Sequence, residues 1–407
     1  MLSAASANVV RATLPAIGAA ISDITPAFYR RLFAAHPELE RNLFNRANQA
    51  RGDQQRALAG SIAAYAARLV SEDGPGPDGL LTRVAHKHAS LGIPARLYPV
   101  VRDHLFAAIA EVLGDALTPE VATAWEEVYW EMAHALIGIE NGLYAERGPR
   151  GIAGIEPGRA WRALTVRRRE QETPQTVSLT LAAPDGAPLP AAQPGQYVSV
   201  AVRLPGGTRQ IRQYSLTRTP ARDVVRISVK AVPANGAAPA GEVSNFVHAN
   251  VFEGDELQVS APFGEMTLAE TDAPLVLASA GIGITPMIAF LHHLQRTGSR
   301  RQVLVLHADR SPACHAHRAE LTALAGALPS AVVHRWYEDM GARAEDAFRH
   351  AGLIDLDSVR VPAGADAYLC GPPPFMAAVR GSLIARGVRP DRIRYEVFGP
   401  ARELETV

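Results

Sequence analysis

Leu81-Thr-Arg-Val-Ala-His-Lys-His-Ala-Ser-Leu91 places two histidines two residues apart in a run with helical apolar spacing. On a helix that offset sends the two side chains to nearly opposite sides. His88 shares its face with Leu81, Val84 and Leu91, whereas His86 shares its face with Thr82, Arg83 and Ser90. The pattern makes His88 the inward-facing candidate for a metal ligand. The stripe by itself fits a hydrogen-bonded core histidine as well, and His104 on another apolar stripe is a second candidate. Further out, Glu140 lies on a stripe with Trp130, Ala133, Ile137 and Tyr144, which aims its carboxylate inward. A buried carboxylate is costly unless it accepts hydrogen bonds. Tyr98, with Val101 and Leu105 below it, is placed to supply a hydroxyl donor. A histidine held by such groups becomes more basic and donates more strongly to a metal. A structural polar cluster without metal would use the same residues.

The helical pattern runs to about Glu146. Arg147-Gly-Pro-Arg-Gly-Ile-Ala-Gly-Ile-Glu-Pro-Gly158 is then too rich in Gly and Pro for regular structure and reads as a linker. From about Trp161 to Thr267 the pattern is strand-like. Val225, Ile227 and Val229 alternate with polar neighbours, and Tyr197 to Leu204 reads similarly, which suggests a small antiparallel barrel. From Pro274 onward strands alternate with helices. Leu275 to Ala278 and Gln302 to Leu306 read as strands, with a helix over Thr285 to Gln295 between them. Ala367 to Cys370 leads through a Gly-Pro loop into a helix from about Phe375. That alternation implies a parallel sheet wound with helices. The expected organisation is an all-α domain over 1–148, a linker over 149–158, an antiparallel β-barrel over 159–268 and an α/β domain over 269–407.

Arg212-Gln-Tyr-Ser215 puts Arg212 and Tyr214 on one strand face, with Ser215 just beyond. A flavin dinucleotide needs such a set: a cation for its pyrophosphate, an aromatic face against its ring and a small polar donor. The tetrapeptide alone fits a plain strand, but Gln193-Pro-Gly-Gln-Tyr197 upstream and Gly241-Glu-Val-Ser-Asn245 downstream sharpen the reading. Ser279-Ala-Gly-Ile-Gly-Ile-Thr-Pro-Met287 sits between a strand and a helix. Its two glycines let the backbone approach a dinucleotide phosphate, and the helix start favours negative charge. Pro286 stands where the six-residue dinucleotide fingerprint has its third glycine, so a generic glycine turn competes. Cys370-Gly-Pro-Pro-Pro-Phe-Met376 and Tyr395-Glu-Val-Phe-Gly-Pro400 favour the nucleotide site.

Phe28-Tyr-Arg-Arg-Leu-Phe33, His36-Pro-Glu-Leu39, Leu43-Phe-Asn45, Gly52-Asp-Gln54, Ala85-His-Lys-His88 and Ile139-Glu140 resemble the globin domain of bacterial and fungal flavohaemoglobins. The resemblance implies haem b, with His88 as proximal iron ligand and Tyr98 and Glu140 as its charge-relay partners. It makes Tyr29 the distal hydroxyl that hydrogen-bonds the bound oxygen, with Gln54 and Leu58 nearby and Phe44 against the haem edge. Pro99 departs slightly from the pattern; it is expected to mark a helix start and to alter how the Tyr98 hydroxyl is aimed. The later motifs resemble, in order, the ferredoxin–NADP reductase superfamily. Tyr197, Arg212, Gln213, Tyr214 and Ser215 would then bind FAD, with Gly241, Val243 and Ser244 bordering its pyrophosphate. Val397, Phe398, Gly399 and Pro400 would form the C-terminal flavin segment, with Phe398 against the ring. Gly281, Ile282, Gly283, Ile284, Thr285, Pro286, Cys370, Gly371 and Pro372 would bind NADH or NADPH. Lys87 and Glu396 are implied to lie between haem and flavin and tune their potentials. Ile284 stands where many flavohaemoglobins have glutamine, and Val397 where cysteine is frequent.

Forty-one basic residues balance forty-one acidic ones, and no basic block marks a nucleic-acid or anionic-lipid footprint. Cys314 and Cys370 are the only cysteines, which fits a reducing cytosol. Met1 to Ile21 lacks the organisation of a signal peptide, and no uninterrupted apolar stretch of about 18 residues is evident. The expectation is a cytoplasmic monomer without a transmembrane segment, acting on small molecules. By the resemblance it is a nitric oxide dioxygenase: electrons pass from NAD(P)H through FAD to haem, and NO with O2 becomes nitrate. A gas or redox sensor globin, and a general flavin reductase for ferric chelates, quinones or hydroperoxides, are the alternatives. His307-Ala-Asp-Arg310 leaves the choice of nucleotide open, since Asp309 suits a ribose hydroxyl and Arg310 a phosphate.

Overall fold

The computed structural model describes residues 2–71, 78–147, 161–218, 223–236, 239–357 and 359–399. The linker expected over 149–158, and Pro400, lie outside the described residues. The chain divides into two compact units, Met1–Trp161 with Ala201–Arg212, and Arg162–Val200 with Gln213–Gly399.

The N-terminal part is helical, as expected: α1 (Ala4–Ala35), α2 (Pro37–Asn42), α3 (Arg46–Ala50), α4 (Asp53–Leu69), α5 (Asp78–Leu91), α6 (Leu97–Leu113) and α7 (Pro119–Arg147). Ser3 caps α1, its hydroxyl accepting the Ser6 N–H at 3.1 Å and so satisfying one of the unpaired donors of a helix start. Val10, Ile17, Ile24, Phe28 and Leu32 form the buried face of α1, which packs on α4, α6 and α7. By length and composition alone this helix is apolar enough to cross a membrane. Arg11, Pro15 and Asp23 break the run, so it is not the uninterrupted apolar stretch whose absence was expected. Its heptad-like buried face is what a helix packed on three neighbours requires. Pro99 lies in the first turn of α6, where a missing N–H costs nothing.

The middle strands close into a barrel in the order β1-β2-β5-β4-β3-β6. They are β1 (Trp161–Thr173), β2 (Thr176–Ala182), β3 (Tyr197–Arg203), β4 (Arg209–Arg218), β5 (Val224–Lys230) and β6 (Glu256–Ser260). β2 and β5 run antiparallel in continuous register, with Leu179 opposite Ile227 and Val177 opposite Val229. All four side chains are buried. Between β5 and β6 lies α8 (Glu242–Asn250), a helix the sequence pattern did not reveal because only Val243, Ser244 and Val247 face inward.

A second sheet has the order β10-β9-β8-β7-β11-β12. Its strands are β7 (Leu275–Ala280), β8 (Val303–Asp309), β9 (Ala331–Tyr337), β10 (Arg349–Ala351), β11 (Asp366–Cys370) and β12 (Ile393–Glu396), and its pairings are parallel. Successive residues of β7 serve opposite faces, as strand geometry demands. Leu275 and Leu277 pack with Met287, Ile288 and Leu291 of α9 (Ile284–Arg296). Val276 and Ala278 pack with Met376, Val379 and Leu383 of α11 (Pro373–Ala385). A shorter helix, α10 (Arg318–Gly326), follows β8. The order reverses between β7 and β11, so the carboxyl ends of these two strands form the crevice where such sheets bind ligands.

Gly283 seals that crevice. A Cβ there would lie 2.2 Å from the Cys370 carbonyl oxygen and 2.6 Å from its carbon. The backbone conformation suits any residue, so the close approach alone demands glycine. Gly283→Ala should therefore destabilise the lobe by about 1–3 kcal/mol or more, read as a lower urea midpoint at unchanged slope. Gly381→Ala is the contrasting control, since it lies inside α11 with nothing within 4 Å of the added carbon. It should be neutral or stabilising by roughly 0.5–1 kcal/mol. Equal effects of the two would contradict the packing argument.

Candidate functional site

In the helical unit, α5, α6 and α7 bring His88, Tyr98 and Glu140 together. The Tyr98 hydroxyl donates to Glu140 Oε1 at 2.6 Å. His88 Nδ1 lies 2.9 Å from the same oxygen and 3.2 Å from the Tyr98 hydroxyl. Glu140 is only 3 % exposed. Burial, then the charge of Glu140, pushes the Tyr98 phenol well above its ordinary value, so it stays a donor. An ionised carboxylate only accepts, so Nδ1 carries the imidazole hydrogen and the Nε2 lone pair is left for a metal. The Pro99 departure does not disturb this aim.

Two tyrosines brace the cluster. Tyr129 donates to the Tyr98 carbonyl at 2.6 Å and Tyr144 to the Ala89 carbonyl at 3.2 Å. Tyr129 was missed from sequence because the stripe was centred one residue off. The buried face of α7 runs Tyr129, Ala133, Leu136, Glu140, whereas Trp130 and Ile137 are half-buried. The expectation for His86 also needs correction. It is 8 % exposed, against 29 % for the His88 side chain, because α5 packs against both α4 and α7 and is covered on more than one side. His104 is half-buried with its ring against His36 and is not part of the cluster.

On α1, Tyr29 is buried among Phe28, Phe33 and Phe44, with ring centroids 4.8, 5.6 and 5.8 Å away. Burial pushes its phenol up, with a partly offsetting hydrogen bond to Gln54. Tyr29 is thus a protonated hydroxyl in an apolar setting. Gln54 and Leu58, a turn apart on α4, are half-buried, as are Phe44 and Lys87. Among the described residues no group of three or more His, Cys, Asp or Glu could hold a bare metal ion. One inward histidine with a hydrogen-bonded Nδ1 instead suits a metal that brings its own equatorial ligands, as a haem does.

In the barrel, β4 carries Arg212, Gln213, Tyr214 and Ser215. Arg212 donates to Asn45 Oδ1 at 2.9 Å, and Gln213 to the Ser199 hydroxyl at 3.0 Å. Ser215 is buried, and so is Tyr197, whose ring a Cβ at Gly264 would approach to 3.1 Å. Gly241 is the N-cap of α8. A Cβ there would meet the Ser244 hydroxyl oxygen at 2.7 Å, so Gly241, Val243 and Ser244 present a tight helix start suited to an anion.

At the crevice, Gly281–Gly283 form a single 3-10 turn leading straight into α9. Gly281 has φ +54°, a left-handed conformation natural to glycine. Ile282 and Ile284 flank Gly283, Thr285 donates to the Ile282 carbonyl at 3.0 Å, and Pro286 fits the first turn of α9. Cys370 ends β11, with Gly371 and Pro372 leading into α11 two residues earlier than expected. Burial, then the charge of Glu396 opposite it on β12, pushes the Cys370 thiol up. Phe398 is 48 % exposed just beyond β12, next to Val397 and Gly399. Asp309 is buried, 3.8 Å from His307 Nε2, while the exposed Arg310 donates to Gln175 at 2.9 Å.

Comparison with known proteins gives this combination a family. Residues 26–136 match the globin family, and residues 277–381 match the oxidoreductase NAD-binding domain. The flavohemoprotein of Chromobacterium violaceum is 45 % identical over 98 % of both chains. That of Bacillus subtilis is 37 % identical over 99 % of both. The crystal structure of a Malassezia yamatoensis flavohemoglobin with bound FAD and heme aligns with a TM-score of 0.87 at 37 % identity, covering 98 % of this chain and 100 % of that one. A Vibrio cholerae structure, the FAD/NAD-binding domain of a nitric oxide dioxygenase, aligns at 37 % identity with a TM-score of 0.55, over 59 % of this chain and 99 % of that one. With a histidine–carboxylate cluster in its helical unit and a nucleotide crevice in its parallel sheet, and with relatives matching it end to end, the chain belongs to the flavohaemoprotein family.

Proposed function

We propose that this chain is a cytoplasmic, monomeric, NAD(P)H-dependent nitric oxide dioxygenase that turns NO and O2 into nitrate. The observation that carries the reading is the His88–Glu140–Tyr98 cluster, which engages Nδ1 of His88 and leaves Nε2 for a metal, in a chain that also matches an oxidoreductase NAD-binding domain. Haem b in the helical unit would supply oxygen chemistry, and FAD in the barrel would exchange two-electron for one-electron transfer. His88 would hold the haem iron, and Glu140 would raise the basicity of that ligand by holding its Nδ1 proton. Tyr29, kept protonated by burial, would donate a hydrogen bond to the oxygen substrate, with Gln54, Leu58 and Phe44 shaping its surroundings.

Arg212 would leave Asn45 to neutralise the flavin pyrophosphate, aided by the α8 start. Tyr197, Tyr214 and the exposed Phe398 would offer aromatic surface to the ring, with Gln213, Ser215 and the 397–400 segment around it. The turn from Gly281 to Pro286, with Cys370, Gly371 and Pro372, would bind the nicotinamide cofactor. Lys87 and Glu396 would tune the redox potentials.

Three outcomes check this. His88→Ala should lose haem, while His86→Ala should keep it at some cost in stability; full haem content in His88→Ala would discard the ligand assignment. Replacing Arg212 and Ser215 together should weaken FAD binding while haem content survives. Tyr29→Phe should lose one hydrogen bond worth about 1.5–3 kcal/mol, slowing NO consumption at low oxygen roughly ten- to a hundredfold. NO loss, NADH oxidation and nitrate are followed together. Wild-type protein that oxidises NADH in air but forms no nitrate from NO would replace this reading with a reductase carrying a sensing globin.

A further inference from the structure

His317 is the one residue other than glycine with positive φ among the described residues, at +56°. It caps the start of α10, and its side chain is wholly buried. A strained, buried, titratable residue needs partners that justify it. Nδ1 lies 2.7 Å from Glu320 Oε2 and 3.4 Å from Glu172 Oε1, and Nε2 lies 2.8 Å from the Ser228 hydroxyl. Its backbone N–H donates to Glu172 Oε2 at 3.2 Å.

With Glu172 and Glu320 both ionised, proton counting around this ring has one solution. Ser178 donates to Glu172 at 2.7 Å, which uses its only hydrogen. Ser228, 2.8 Å from Ser178, must then be the donor of that pair. Its hydrogen is spent, so it can only accept from His317 Nε2. Glu320, a carboxylate, can only accept from Nδ1. Both ring nitrogens therefore carry hydrogen. Glu320 also accepts from Arg226 through both oxygens, at 2.6 and 2.8 Å, and from His292 Nε2 at 2.6 Å. Arg226 in turn donates to Thr217 at 2.7 Å.

We propose that His317 is a buried imidazolium that pins α10 of the nucleotide lobe to β1, β2 and β5 of the barrel, acting as a positioning residue for electron transfer between their cofactors. The positioning role rests on the reading above, in which a nicotinamide held by the lobe reduces a flavin held by the barrel. The charges balance locally: Glu172 and Glu320 face the cations of His317, Arg226 and the His292 donor. Burial alone would raise Glu320, but the hydrogen bonds from His292 and His317 and the charge of Arg226 bring it well below the usual carboxylate range. A depressed carboxyl contributes stability above its unfolded value and loses it only as pH falls through the folded one, so the cluster persists through mild acid.

The first test is long-range proton–nitrogen NMR at neutral pH on the full chain with nitrogen-labelled histidine. Among 13 histidines, the spin system absent from His317→Asn is that of His317; asparagine tolerates the same backbone. Two protonated ring nitrogens are expected, and one bare nitrogen would overturn the assignment. If His317→Asn fails to fold, Ser228→Ala removes the acceptor of Nε2 together with the donor to Ser178, and should move the Nε2 signal while both ring nitrogens stay protonated; a bare Nε2 in the wild type would overturn the assignment. The second test is anaerobic stopped-flow reduction of the FAD-loaded protein by NADH. His317→Asn should slow it roughly ten- to a hundredfold with little change in NADH affinity, and an unchanged rate would refute the positioning role. A wild-type flavin that NADH does not reduce would sink the functional reading and that role together, leaving the NMR result to decide the protonation.

Discussion

The helical unit depends on one buried carboxylate. Glu140 sits in a nearly dry interior, where an unpaired charge would cost several kcal/mol. What makes it tolerable is two short hydrogen bonds to a single oxygen, from a phenol that cannot ionise there and from an imidazole. Those bonds fix the tautomer of His88 and hold α5, α6 and α7 in register. The distal side obeys the same economy of polar groups: Tyr29 is one hydroxyl in an aromatic wall, paired with Gln54.

The second unit rests on a constraint of space rather than charge. The chain leaves β7, turns through Gly281–Gly283 and enters α9 while touching the end of β11. No side chain fits between them, so the helix start stays against the crevice at the switch in strand order. Ile284, where the family resemblance leads one to expect glutamine, fits this turn without disturbing it, because its side chain is fully buried against β7. The Val397 departure is similarly absorbed by the apolar layer beneath α11.

Most of this architecture was legible in the sequence. Periodicity separated helices from strands, and short apolar runs broken by glycine announced the parallel sheet. His88, Tyr98 and Glu140 were readable because polar residues on apolar stripes are rare and need partners. The rest was hidden for physical reasons. Tyr129 bonds a backbone carbonyl, which leaves no pattern, and His86 is covered by neighbours whose positions only the tertiary fold sets. α8 is short and its inward face half polar. The His317 network joins segments more than a hundred residues apart, from Glu172 to Glu320, through serines that look like ordinary strand residues.

The central claim is that Glu140 tunes a metal through His88 rather than merely filling the core. Resonance Raman of the ferrous, haem-loaded protein reads this directly through the iron–histidine stretch. Glu140→Gln keeps the shape and a hydrogen-bond acceptor but removes the charge, so the stretch should fall to lower frequency than in wild type. An unchanged frequency in a variant that retains haem would contradict the account.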